Sequence, residues 1–219
     1  MRNIWGNKMI EDSINFYYKA TRLKDMLRQG AVQWQVKKDR LESIAEHTFG
    51  CMILAISLQA ELNLHLDMEK VLKMLTIHEL EELAIGDVTP LDDVDKRELK
   101  NKARLSVSKM IKDLKCESEL MSMTDDFNNS STIEAKFAKA IDKLECVLEF
   151  KKYQDSGQIS LGHVTDKMLQ NKQLRAYVDE GKYDLADIFF LFHKSAFEEF
   201  GIDEEFWFEK LKNLKIKQI

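Results

Sequence analysis

Glycine and proline are scarce: eight glycines and the single Pro90 make nine of 219 residues, about 4% where about 12% is usual. So few turn residues exclude sandwiches, barrels, collagen-like repeats and glycine-rich dinucleotide loops. Cysteine is nearly absent too. Cys51, Cys116 and Cys146 form no C-x-x-C pair, which supports neither a thiolate zinc site nor a disulfide framework. No apolar run approaches the roughly 18 residues of a bilayer span. The N-terminal stretch MRNIWGNKMIED lacks the apolar core and small-residue cleavage site of a secretory signal. The expected setting is a reducing cytoplasm, without membrane contact.

What the chain does hold is charge, 32% of residues, beside 44% apolar ones, too apolar for disorder and too charged for a membrane protein. At about 150 residues per domain, the length predicts one domain, large enough to bury about 70% of its unfolded surface without a staple. The net charge of −5 is uneven: residues 1–40 carry nine Lys/Arg and four acids, +5, against −10 for the rest. Overall acidity disfavours a nucleic acid polymer, whose phosphates need a broad basic face. A small anion could meet the basic segment, though a charge run of this kind more often means a solvated basic helix.

Apolar spacing predicts helices throughout and no strand. The first runs from about 10 to 28, with Gly30 as its C-cap. Ser43 and Glu46 form a capping box opening a helix to about 63, with the stripe Ile44, His47, Cys51, Leu54, Leu58. Asp67 caps a helix over about 68–84 that Gly86 ends. Further helices are expected at about 92–115, 132–153, 164–177, 183–198 and 203–213, with a short helix and a loop over 117–132. The aromatic-rich 183–208 segment fits either domain core or a dimer surface. The expectation is a single all-α helical bundle spanning 1–219, with a core at about 23–155 and the C-terminal helices 164–213 packed on it.

Chemistry is suggested where polar residues occupy apolar positions. His47 lies on its helix's stripe, and His78 continues Val71 and Leu75. One such histidine reads as core packing, but two on neighbouring helices each need a buried partner. His78 and Glu82, four apart, share a helical face, and Glu79 sits about 100° round from His78. Glu81 reads as a solvent-facing acid. Asp142 neighbours Ile141, with Ala138 and Ala135 letting its helix come close to another. Imidazoles with carboxylates suit a divalent first-row ion with open water positions.

ESIAEHTFG (42–50), IHELEELAIGDVTP (77–90) and EAKFAKAIDKLECVLEFKKYQD (134–155) resemble the small HD-domain 5′-deoxynucleotidases, within the HD-domain metal-dependent phosphohydrolases. The likeness runs from about Leu23 to Asp155. It implies that His47, His78, Glu79 and Asp142 are ligands of one divalent ion, such as Mn, Co, Mg, Fe, Zn or Ni. It further implies that Glu82 is the acid/base carboxylate, that Asp87 faces the sugar and attacking water, and that Arg28 binds the substrate phosphate. It implies a small-molecule nucleotide as partner and leans towards a homodimer. Two positions depart from the pattern. Glu79 stands where the signature has Asp, and Ala31 where the family often has a tryptophan, the nearest indole being Trp34.

Histidine is absent between Glu79 and Lys143, which disfavours the dinuclear relatives. The leading expectation is hydrolysis of (deoxy)nucleoside 5′-monophosphates to nucleoside and phosphate. Its rivals are a nucleotide di- or triphosphohydrolase, which needs more cations than Arg28, a nucleotide- or metal-binding module weakened by Glu79, and a helical adaptor with core histidines.

Overall fold

A computed structural model describes residues 7–214. Its helices are α1 (Asn7–Ala20), α2 (Gln29–Gln33), α3 (Ile44–Glu61), α4 (Met68–Ile77), α5 (Glu82–Ile85), α6 (Lys96–Ile111), α7 (Glu117–Asn129), α8 (Ile133–Asp155), α9 (Lys172–Glu180), α10 (Leu185–Phe192), α11 (Lys194–Glu198) and α12 (Glu204–Phe206). Among the described residues there is no strand, only an isolated antiparallel bridge between Leu27 and Ser43. No helix among them is long and apolar enough to cross a membrane.

The helix starts follow side-chain chemistry. Ser43 Oγ accepts from the Glu46 amide at 3.3 Å while Glu46 accepts from the Ser43 amide at 2.8 Å, the reciprocal cap expected from S-x-x-E. Asp67 caps α4 and Thr132 caps α8 through the amides of Lys70 and Ala135.

The first helix ends earlier than its apolar spacing predicts. It stops at Ala20, tightens into a 3₁₀ turn over Thr21–Asp25 and becomes extended at Met26. The chain then pairs with Ser43, so Arg28 opens α2 rather than closing α1. Gly30 is therefore no C-cap. It lies inside α2, where a Cβ would stand 3.2 Å from the Phe150 ring. The 117–132 stretch is a longer helix than expected, ended by Ser130 in the left-handed region at φ 49°. The helix expected over 164–177 starts later, at Lys172 where Asn171 caps α9, and runs on to Glu180, with a 3₁₀ turn at Met168–Gln170 before it. The expected 183–198 helix breaks at His193, which separates α10 from α11.

Helix α8 is the spine. Ala135, Ala138 and Ile141 pack with Ile44, Cys51, Val71 and Leu75 of α3 and α4, while Ala140, Leu144 and Val147 pack with Ile188, Phe189 and Phe190 of α10. The small residues let the neighbouring backbones approach, as the sequence suggests. Most of the 183–208 aromatics belong to this core, Phe206 being exposed: Phe190 stacks on both Phe197 and Trp207, and all three are buried.

Asp187 ties that last layer down. It is fully buried, accepts from Trp207 Nε1 at 3.1 Å and from Lys212 Nζ at 2.5 Å, and caps α10 with Asp184. Breaking a buried ion pair from one side costs about 3–5 kcal/mol. Lys212 keeps some contact with water, so Asp187→Ala should cost about 3 kcal/mol. A urea denaturation midpoint checks this; a midpoint equal to the parent's would contradict it.

Candidate metal centre

Four side chains from three helical segments meet at the edge where α3, α4 and α8 pack. His47 points inward from α3 and Asp142 faces it from α8, with His47 Nε2 3.2 Å from Asp142 Oδ1. Helix α4 delivers His78 and Glu79 by tightening into a 3₁₀ turn over His78–Glu81. A 3₁₀ turn eclipses positions i and i+3, so Glu79 and Glu82 open on one cavity. This replaces the regular-helix geometry expected from the sequence. Glu81 is turned away and accepts from Asn128 Nδ2 at 2.7 Å. It is half-buried rather than solvent-facing.

Glu79 Oε1 lies 3.3 Å from His47 Nε2 and 3.4 Å from His78 Nε2, and the latter nitrogen is 3.8 Å from Asp142 Oδ1. His78 Nδ1 donates to the Leu75 carbonyl at 2.7 Å, which turns Nε2 towards the acids. That Nε2 is buried with no hydrogen-bond partner. Cys51, one turn after His47, brings its Sγ to 3.6 Å from His47 Nε2. The donor atoms of His47, Cys51, His78 and Asp142 all lie within 4.8 Å of one another. Nitrogen and carboxylate donors converging on an orphaned buried imidazole nitrogen fit a divalent first-row ion.

Electrostatics are dominated by burial working against charge. Burial lowers His78, but the carboxylates of Glu79 and Asp142 outweigh it and push the imidazole up to about 10. Burial disfavours ionised Asp142, yet Lys143 at 2.9 Å and the two histidines hold it well below the carboxylate range. Glu82 is pushed up to about 11, first by burial, then by the charges of Glu79 and Asp87, with Arg28 opposing. Its Oε2 is buried without a partner.

The cavity beside this cluster is lined by both ionic and aromatic residues. Arg28 Nη1 lies 3.4 Å from Glu79 Oε1 and 3.6 Å from Asp87 Oδ1. The Gln29 amide donates to Asp87 Oδ2 at 2.6 Å, which joins the 86–90 loop to the start of α2. Thr89 and Asp92 strengthen that junction through Gln33, at 2.8 and 2.9 Å. Trp34, Phe189 and Phe192 also line the cavity, as does His193. Ala31 is core, while Trp34 supplies the cavity's indole and packs on Phe189 with ring centres 5.3 Å apart. Burial pushes His193 down to about 3.

All seven residues singled out from the sequence thus adjoin one another: His47, His78, Glu79 and Asp142 in the cluster, and Arg28, Glu82 and Asp87 in the cavity. Sequence reasoning missed Lys143 and His193, which also line the cavity. The position of Lys143 next to Asp142 on α8 was the available signal. Nothing local marks His193.

Among protein families, the HD domain matches residues 20–179. The 5′-deoxynucleotidase HDDC2 of Bos taurus is 28% identical over 145 residues, 65% of this chain and 68% of that protein. The 5′-deoxynucleotidase hdd1 of Schizosaccharomyces pombe is 27% identical over 170 residues, 73% and 83% of the two chains. A solved conserved hypothetical protein from Pyrococcus furiosus superposes with a TM-score of 0.55 at 26% identity, covering 76% of this chain and 97% of its own. A solved predicted metal-dependent phosphohydrolase from Magnetospirillum magnetotacticum reaches 0.60 at 20% identity, covering 88% and 97%, a likeness of fold. Family and His/Cys/Asp cluster together indicate a divalent metal ion. With the match spanning α2 to α9 and every residue of the cluster, this chain belongs to the HD-domain family.

Proposed function

We propose that the chain is a metal-dependent phosphohydrolase releasing phosphate from (deoxy)nucleoside 5′-monophosphates. The observation that carries this is the convergence of His47, His78, Glu79 and Asp142 at 3.2–3.8 Å, beside a cavity with Arg28 and Glu82. The curated relatives named 5′-deoxynucleotidases support it. His47, His78, Glu79 and Asp142 would hold one divalent ion. Such an ion lowers the pKa of bound water and offsets phosphoryl charge.

The chain's own residues do the remaining work. Arg28 binds the phosphate through charge-assisted hydrogen bonds. Lys143 adds a second positive charge on the same cavity. A hydrogen bond and an ion pair separate the roles of the two remaining acids. Both Asp87 oxygens are engaged, one by the Gln29 amide and one by Arg28, so Asp87 orients the phosphate-binding arginine and faces the sugar. Glu82 has a free, buried oxygen and exchanges the proton with the attacking water or the leaving 5′-oxygen. Trp34, Phe189 and Phe192 offer an apolar face to the nucleoside.

Two rivals are disfavoured by geometry. Glu79 reaches both histidines, so the added methylene keeps it in the cluster, against a weakened binding module. A packing histidine needs a satisfied ring, and His78 Nε2 is not satisfied, against an adaptor. Lys143 favours the di- or triphosphohydrolase as the second reading.

The proposal takes residues 1–219 as one domain, supported by α8 contributing to both halves of the core. It places the enzyme in the cytoplasm, supported by three free cysteines. It also makes the enzyme a homodimer, supported by exposed Phe49, Ile53 and Ile56 along α3. Phosphate release from ribo- and deoxyribonucleoside mono-, di- and triphosphates with Mn²⁺ or Co²⁺ tests the substrate reading. Inorganic phosphate from monophosphates is expected. Pyrophosphate or tripolyphosphate from longer nucleotides, with monophosphates untouched, would establish the rival.

A further inference from the structure

Glu145 is a partly buried acid, its side chain 12% exposed, to which the reaction described above gives no part. The fully buried His47 ring lies between two carboxylates of a single helix. Its Nε2 faces Asp142 Oδ1 at 3.2 Å, and its Nδ1 is hydrogen-bonded to Glu145 Oε2. Asp142 and Glu145 are three residues apart on α8 and so share a face.

The opposing helix is cut to fit. Gly50 follows His47 by three residues on α3, and a Cβ there would overlap the Glu145 carboxylate, with the nearest atom Oε1. A mid-helix glycine is destabilising relative to alanine. Here it supplies the clearance through which the acid reaches the ring.

We propose that Glu145 is a positioning residue, and that Gly50 exists to admit it. By accepting the Nδ1–H of His47, the carboxylate fixes the tautomer whose Nε2 lone pair faces Glu79, His78 and Asp142. It also holds the ring plane and raises the basicity of that nitrogen. The inference rests on the metal reading proposed above and adds to it a pair of residues that touch neither ion nor substrate.

The test uses the full chain, stripped by chelation and titrated calorimetrically with Mn²⁺ or Co²⁺ alone. Glu145→Ala should weaken binding about 10–100-fold, and Glu145→Gln should weaken it less, since its amide oxygen can still accept without the charge. Gly50→Ala should weaken binding as Glu145→Ala does. Added to Glu145→Ala it should cost nothing more, because the space is then empty. The downfield His47 Nδ1–H resonance of the apo protein should vanish in both single alanine variants while apo melting curves stay cooperative. Binding within twofold of the parent in both Glu145 variants would overturn the proposal, as would a Gly50→Ala loss that is equal with and without Glu145. A parent chain that takes up neither ion would overturn the metal reading and this inference with it; a parent that binds beside variants that bind equally well overturns the inference alone.

Discussion

Glu82→Gln should abolish most turnover, lowering kcat about 10²–10⁴-fold, the range for removing a positioned general acid or base. Glutamine keeps the shape and the polarity but cannot exchange a proton. Glu82 lies outside the four-residue cluster, so the variant should bind metal as the parent does and show little change in KM. The reason for a large effect lies in the site. The Glu82 carboxyl is pushed up by burial and by the charges of Glu79 and Asp87, and one of its oxygens is buried with no partner. Such a group is poised to carry a proton rather than a fixed charge. Steady-state phosphate release with metal analysis in parallel checks this; activity within threefold of the parent would remove Glu82 from the chemistry.

His78→Gln should eliminate metal uptake at micromolar ion. An outer partner of a ligand is worth 10–100-fold in affinity, and loss of a ligand itself should reach at least the top of that range, about 10²-fold. His78 is the sharpest choice because its Nδ1 is committed to the Leu75 carbonyl, leaving Nε2 as its one free donor, and that atom is orphaned. His47 is a poorer probe, since Glu145 grips its other nitrogen and its removal would leave that partly buried acid without this partner. The expected result is a flat calorimetric trace beside a cooperative melt. Uptake at parental affinity would show that the centre is built without His78.

Much of this arrangement is legible in the sequence, and what is missed has a common physical cause. The Ser43–Glu46 cap, the α8 stripe and the small residues facing α3 are local patterns, and local patterns survive into the fold. His47 and His78 are visible because each displaces carbon from a predicted apolar position, and Glu79 and Asp142 because they adjoin such positions within motifs that resemble the family's. The 3₁₀ turn at His78–Glu81 was not visible, because a change of helical pitch over four residues leaves the apolar spacing intact. Gly30 was misread for a related reason. A glycine after an apolar stripe usually ends a helix, but here it admits the Phe150 ring from 120 residues away.

Glu145 and His193 depend on contacts that no local pattern encodes. Nothing local marks Glu145 until α3 is laid against it with Gly50 next to its carboxylate. His193 gains its place because α10 stops at Phe192 and leaves His193 at the break before α11, on the cavity lining. Residues 180–193 lie beyond the portion matched by the family, yet they provide Phe189, Phe192 and His193 to the cavity wall. The site is thus finished by the part of the chain that carries the least sequence signal.

The most direct measurement is phosphate release from a deoxynucleoside 5′-monophosphate by chain stripped with chelator and then titrated with Mn²⁺ or Co²⁺. The account predicts no release from the stripped protein and activity rising to a plateau at one ion per chain. Release that persists through chelation, or none at any ion concentration despite one bound ion per chain, would contradict it.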